Sequence, residues 1–421
     1  MRIKHYALLF ILQLMYLSKA NAQTELTMYN MSGIAQVNQV NSSTLPKASF
    51  YIGLPVLSSI HLLYGNNAFS YRELHTLSND DSVFIDFNNV INKMKSLNCL
   101  TMQFKTDFIS FGFRSGRNYF NANISDRIHL YFRYPGSLFQ FLVEGNGKYI
   151  GQTLDFKKLG FDLTHFREYA FGFSRSINDK LTIGLRLKLL DGMENISSVN
   201  NGLTFTTDAI DYGLHSTTGF TINTSSLSKW SNNVGYHIDD FISGGQNHGF
   251  AGDISVLYKY NSKWEFNTSI NDIGSIFWNK DVRNYSTNAN NYYFGGVDLK
   301  HFISDSTNTI QNVIDSLKNT FVSAESVNAY KTNLPTQIYL SSRYNLNGKS
   351  SVSALLHGTI FQKGVLPSFT LGYQLALGKN VDFSTSWSII NNRADHLGLG
   401  ISAKTGPLQL YLVTDNILGV I

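Results

Sequence analysis

Eleven histidines are the chain's plainest raw material for chemistry, yet their spacing assembles no catalytic motif. There is no HExxH pair, no serine in a G-x-S-x-G elbow, no Walker loop and no dinucleotide fingerprint. A barrel esterase would need a Ser–His pair on a lumen or rim, and no spacing in the chain singles one out. The nearest approach to a metal cluster is Tyr236-His237-Ile238-Asp239-Asp240 with His248. It lies in a Gly-rich stretch where solvated loop polarity accounts for it. Cys99 stands alone, which excludes a disulfide framework and a cysteine-based metal site. The expectation is a non-enzyme with no catalytic residues, no metal and no cofactor.

The charges that could matter sit elsewhere. Leu181, Ile183, Leu185, Leu187 and Leu189 alternate with Thr182, Gly184, Arg186 and Lys188. Leucine at every second position beside Arg and Lys is what a lipid face backing onto a polar lumen requires. The same parity argument makes Arg114, Arg133, Arg186, Lys188, Glu265 and Asp382 candidate lumen-facing charges. They are expected either to line a path or to pair across the lumen and hold it closed. On this reading Leu185→Arg costs about 2–4 kcal/mol near the membrane midplane, and Lys188→Gln much less.

The elements that must position these side chains are strands. From Ser368 to Gly378, Phe369, Leu371, Tyr373, Leu375 and Leu377 take one face, with Ser, Thr, Gly, Gln and Ala on the other. Val381–Ile390, His396–Lys404 and Pro407–Thr414 follow across short turns, giving an antiparallel meander. Similar alternation occurs over Ile109–Arg114, Arg127–Tyr134 and Glu168–Ser174, and in Asp253–Tyr260 and Trp264–Asn271 across Asn261-Ser262. Pro135-Gly136 is read as turning this strand pattern into Ser137–Tyr149. Gly398-Leu399-Gly400 reads as strand glycines on an inward face. Lys47–Leu63 is the first strand region. Pro46, Pro335, Pro367 and Pro407 are placed at or just before strand starts. Two helical stripes interrupt the pattern, one in Phe84–Leu97 and one through Ile310, Val313, Ile314, Leu317 and Phe321. Insertions at about 191–250, with an extra hairpin around Leu203–Phe220, and at about 274–334 are read as long outer loops. The fold class expected is all-β: a transmembrane antiparallel up-and-down β-barrel of about 14 strands (12–16) whose long outer loops carry short helices.

Residues 1–22 read as a secretory signal: Arg2, Lys4 and His5, an apolar run from Ala7 to Leu17, then Ala20-Asn21-Ala22. Its removal takes the formal charge from +5 to +2, and no basic run follows, so nucleic acid is not an expected partner. No remaining stretch of eighteen apolar residues offers a transmembrane helix, and a mean hydropathy of −0.11 is what interleaved strands give. The domains expected are the signal (1–22), a polar lead (23–47) serving as lumen plug or periplasmic tail, and the barrel (48–421). Counted back through the short turns, the last strand runs outward and Ile421 falls on the outer side. An even-stranded barrel would then need about one strand more.

A resemblance follows from Asn41, Gly145-Asn146-Gly147, Asn271 to Trp278, Asn333-Leu334-Pro335, and Gly406 to Tyr411 with Asp415-Asn416. The chain resembles a family of uncharacterised Bacteroidota outer-membrane barrels. That family is similar in plan to long-chain fatty-acid transporter barrels and to accessory barrels of type IX secretion and gliding. Where relatives carry Asn-Pro-Ala in the early lead, this chain has Asn41-Ser42-Ser43. The resemblance implies location in the cell outer membrane with its lipid as partner. Two functions remain open: passage of a hydrophobic or small solute, and a structural or docking barrel that holds a secretion or surface-layer protein through its outer loops. A secreted soluble β-sandwich is the third and weakest reading.

Overall fold

The computed structural model describes residues 25–417 except 55–57, 69–74, 78–82, 86, 228–244, 288–290, 295–323, 362–363 and 391–392. It is an antiparallel up-and-down β-barrel fold. Its wall is built from β1 (Phe50–Ile52), β2 (Ile60–Asn66), β3 (Asn98–Ser115), β4 (Asn118–Tyr134), β5 (Gly160–Ser176), β6 (Leu181–Asn200) and β7 (Asn247–Lys259). It continues through β8 (Trp264–Trp278), β9 (Thr336–Asn345), β10 (Ser350–Phe361), β11 (Gly364–Leu377), β12 (Val381–Ile390), β13 (Arg393–Thr405) and β14 (Leu408–Thr414). From β3 to β14 each strand pairs antiparallel with the next.

Burial assigns the faces. On β6, Leu187 is 73% exposed and Leu185 and Leu189 also point outward, whereas Arg186 is 1% and Lys188 4% exposed. A single change of register would reverse every one of these positions. Short turns close one end, with positive φ at Gly116, Gly378 and Gly406, where a side chain at Cβ would be strained. Long connections occupy the other end.

The first wall segment is one strand broken in two. Both β1 and β2 pair with β3, through Phe50↔Phe113 and Ile60↔Thr106, so the strand region expected over Lys47–Leu63 holds two short strands. Among the described residues, no ladder joins β14 to β1 or β2. The Tyr411 hydroxyl of β14 donates to the Ser58 carbonyl at 3.1 Å, in the gap between them.

Several expectations are corrected. Ser137–Tyr149 is not a strand: Gly136–Glu144 is a helix (α2), followed by a 3₁₀ turn over Asn146–Tyr149. Pro135 sits extended before the helix and Gly145, at φ +74°, ends it, the usual division of labour between these residues. The insertions are also shorter than expected. β6 runs on to Asn200, β7 starts at Asn247 and β8 runs to Trp278. Past Leu190 the outward face of β6 no longer repeats leucine, so the signal fades before the ladder does. Strands Thr221–Ser225, Val282–Ser286 and Tyr330–Asn333 extend this upper wall. Pro367 lies inside β11 rather than at its start. The Phe84–Leu97 stripe forms a short helix, Phe87–Lys93 (α1), with Val90 and Ile91 buried. The stripe from Ile310 to Phe321 lies outside the described residues. The hairpin near Leu203–Phe220 is Thr204–Thr207 with Leu214–Thr217, and it belongs to a four-stranded outer sheet.

Residues 25–44 fill the lower lumen. Leu26, Tyr29, Ile34, Val37 and Val40 are buried there with Tyr339, Leu355 and Ile390 from the wall. Tyr29 stacks on Tyr339 with ring centroids 4.6 Å apart. The lumen thus has its own apolar core, which anchors a lead whose composition is polar.

Candidate functional site

Three irregularities in the ladders build the site. The β3–β4 register shifts at Asp107/Ile109, the β5–β6 register at His165/Phe166, and the β7–β8 register at Gly252/Ile254. A bulge turns side chains that strict alternation would send outward. Asp272, at φ +60°, is the clearest case: Asn271 and Asp272 both point into the lumen.

These carboxylates meet a cluster of cations at the waist. Arg127 Nη1 donates to Glu168 Oε2 at 2.7 Å and Arg127 Nη2 to Asp272 Oδ2 at 2.9 Å. Lys188 Nζ lies 2.7 Å from both Asp253 Oδ1 and Asp272 Oδ1. Arg186 is 3.4 Å from Asp253 and donates to Asn123 Oδ1 at 2.6 Å. All six charged groups are buried. Desolvating them is offset only while each keeps its partners. Arg127, Arg186 and Lys188 face Glu168, Asp253 and Asp272, so formal charge cancels within the cluster. A chamber of about 40 Å³ bordered by His61, Arg127, His129 and Asp272 adjoins it and is large enough to hold water.

Below the cluster the lead is held by directional bonds. Lys105 Nζ donates to Gln39 Oε1 and Gln39 Nε2 to Asp107 Oδ2, both at 2.6 Å. Asn271 Nδ2 donates to the Val40 carbonyl at 2.6 Å. The Leu26 and Thr27 amides donate to the Asp415 carboxylate at 3.0 and 2.7 Å. Gly184 admits the lead's backbone, for a Cβ there would stand 2.2 Å from the Ser42 carbonyl carbon. Gly400, noted as an inward strand glycine, leaves room for Met31 in the same way.

Above the cluster, at the long-connection end, lies a cavity of about 320 Å³. Leu63, Tyr131, Leu334, Phe361 and Leu366 line it, with His129 at the boundary to the waist and Arg133 and His396 on its sides. Arg133 is 3.9 Å from Asp162, and Arg393, at the rim, is 3.1 Å from Asp395.

Of the six expected lumen charges, the fold brings Arg186 and Lys188 together. The other four are dispersed. Arg133 is at the mouth; Arg114 donates to the Pro46 carbonyl at 2.5 Å; Glu265 is 3.7 Å from Arg343; Asp382 is 3.5 Å from Lys47. Arg127, Glu168 and Asp253 were missed although they share the inward parity. Asp272 was hidden because its bulge breaks parity. The expected tolerance of Lys188→Gln does not fit this arrangement, since Lys188 is the shared partner of two buried carboxylates. His248 is exposed and 3.0 Å from Asp191; among the described residues no group of three His, Cys, Asp or Glu side chains is arranged to hold a metal ion. Tyr236 to Asp240 lies outside the described residues.

No curated protein matches the chain by sequence. Among solved structures, the toluene transporter TodX of Pseudomonas putida is 10% identical, with 94% of this chain and 89% of that one covered at a TM-score of 0.42. The toluene transporter TbuX of Ralstonia pickettii is 12% identical, covering 89% and 86% at 0.41. A FadL homologue of Pseudomonas aeruginosa is 7% identical, covering 86% and 79% at 0.36. A profile described as "Family of unknown function (DUF5723)" matches residues 43–415, and the chain belongs to that family.

Proposed function

We propose that this barrel sits in an outer membrane and gives passage to a small, neutral, hydrophobic solute, with residues 25–44 as the barrier that must yield. The cavity of about 320 Å³ at the mouth carries this reading. Its size is at the lower end of small-molecule sites, and Leu63, Tyr131, Leu334, Phe361 and Leu366 give it apolar surface between polar groups such as Gln103, Asn333 and Thr359. Arg133 and Arg393 each face an acidic partner, and the charges of the waist cancel. Neither region therefore selects an ion of either sign.

The test is swelling of liposomes carrying the purified barrel, with a series of apolar and polar solutes. The intact chain is expected to pass apolar solutes slowly, and deletion of residues 23–44 to raise the rate. Equal, zero flux in both proteins would overturn the reading. Location is tested by fractionation: the protein belongs with the outer membrane and migrates heat-modifiably on gels. Complete recovery in the soluble fraction would refute it.

A second reading, a docking barrel for a secretion or surface-layer protein, is favoured by the outer sheet. Its Thr204–Thr217 hairpin presents Ile210 at its tip, 91% exposed. Removing residues 208–213 should leave flux unchanged and abolish partner capture if that reading holds.

A further inference from the structure

The tight turns carry a feature that solute passage does not use. Every short turn at the closed end holds or adjoins a Lys or Arg, although the chain as a whole is close to neutral. Lys180, Lys259, Lys263, Lys349, Lys379 and Lys404 flank the turns after β5, β7, β9, β11 and β13. Among the described residues none of these six makes an ion pair, and five of them are exposed, with Lys404 half-buried. The turn after β3 supplies Arg117, which is 3.5 Å from Asp179, the acidic residue of these turns. The cations are therefore spread around the perimeter rather than gathered in one patch.

Their height on the wall identifies what they meet. Exposed Ile177, Leu346, Leu377 and Leu408 lie next to them in the chain, at the edge of the apolar outer band. Trp264 packs on Tyr344 at 4.8 Å in the same zone, and Lys263 Nζ lies 6.0 Å from the Tyr344 ring. Aromatic rings at a barrel rim mark the membrane interface, and a lysine stem laid along them brings its ammonium to headgroup level. A protein partner would engage one sector of the barrel. A ring at interface height faces lipid on all sides.

We propose that this basic ring binds the phosphate groups of anionic phospholipids in the leaflet around the short turns. The proposal rests on the membrane-spanning reading above. Cations at this depth gather anionic lipid by Coulomb attraction, which weakens with ionic strength.

The test reconstitutes the full chain in phosphatidylcholine vesicles with and without phosphatidylglycerol, then extracts it and analyses the retained lipid. Phosphatidylglycerol should be enriched several-fold over the bulk mixture, and high salt should reduce the enrichment. Changing all six lysines to Gln should abolish it while heat-modifiable migration is kept. A Lys180→Gln, Lys379→Gln double variant, expected to show partial loss, serves should the sixfold variant not fold. No enrichment in the inserted wild type, or equal enrichment in the variants, would overturn the proposal. So would thermal stabilisation by inorganic phosphate without lipid enrichment, which would indicate a free-anion site, and so would capture of an acidic protein without it. A wild type that fails to insert into either vesicle refutes the membrane reading itself, a separate result.

Discussion

The waist and the mouth of the lumen are built on opposite terms. At the waist, six buried charges and the lead's hydrogen bonds close the passage with short, directional contacts. At the mouth, aliphatic and aromatic side chains interspersed with polar ones leave about 320 Å³ open. Directional bonds hold one geometry and forfeit much of their energy when it changes. Apolar walls accept many shapes at little cost. In the proposed function, the waist would be the barrier and the mouth the site of capture.

The largest effect should come from opening the waist chemically. Asp272→Ala strands Arg127 and Lys188, and breaking a buried pair from one side costs about 3–5 kcal/mol. Urea unfolding in detergent should show it; a loss below about 1 kcal/mol, the scale of exposed pairs, would mean that the waist is wet and weakly coupled. Lys188→Gln should be comparably damaging, because Asp253 and Asp272 both lose their nearest cation.

Leu187→Arg, on the outward leucine face of the same strand, should cost about 2–4 kcal/mol near the midplane of the proposed membrane. Asp415→Ala should cost about 1–3 kcal/mol by leaving the Leu26 and Thr27 amides without their acceptor. Protease cleavage within 25–44 should then accelerate before global unfolding does. The smallest stability effect should be at the mouth. Leu366→Ala, at a half-buried position, should cost less than about 2 kcal/mol but lower apolar-solute flux. Unchanged flux would detach the mouth from function.

Parity legibility had a physical limit. Alternation revealed the strands wherever one face was apolar and the other polar, as in β6 and in β11 to β13. It failed farther along β6, which continues through Asn195 and Ser197, bonded to Thr164 and Asp162 on the lumen side, without leucines opposite. Of the expected charges, Arg186 and Lys188 were legible because five apolar residues flank them in strict alternation. The carboxylates that complete the site come from three other strands, and no local pattern pairs Arg127 on β4 with Asp272 on β8 across the lumen.

The sequence by itself determined the two-faced strands, the tight turns and the outward leucines, because each of these is settled by residues within a few positions and by the medium on either side. Tertiary structure alone decided that the polar lead lies inside the barrel. It also decided that Asp272 turns inward at a bulge, and that Asp415 meets Leu26 from 389 positions away. Those outcomes depend on which surfaces close on one another when the wall curves, and contact across a lumen leaves no periodic trace in the chain.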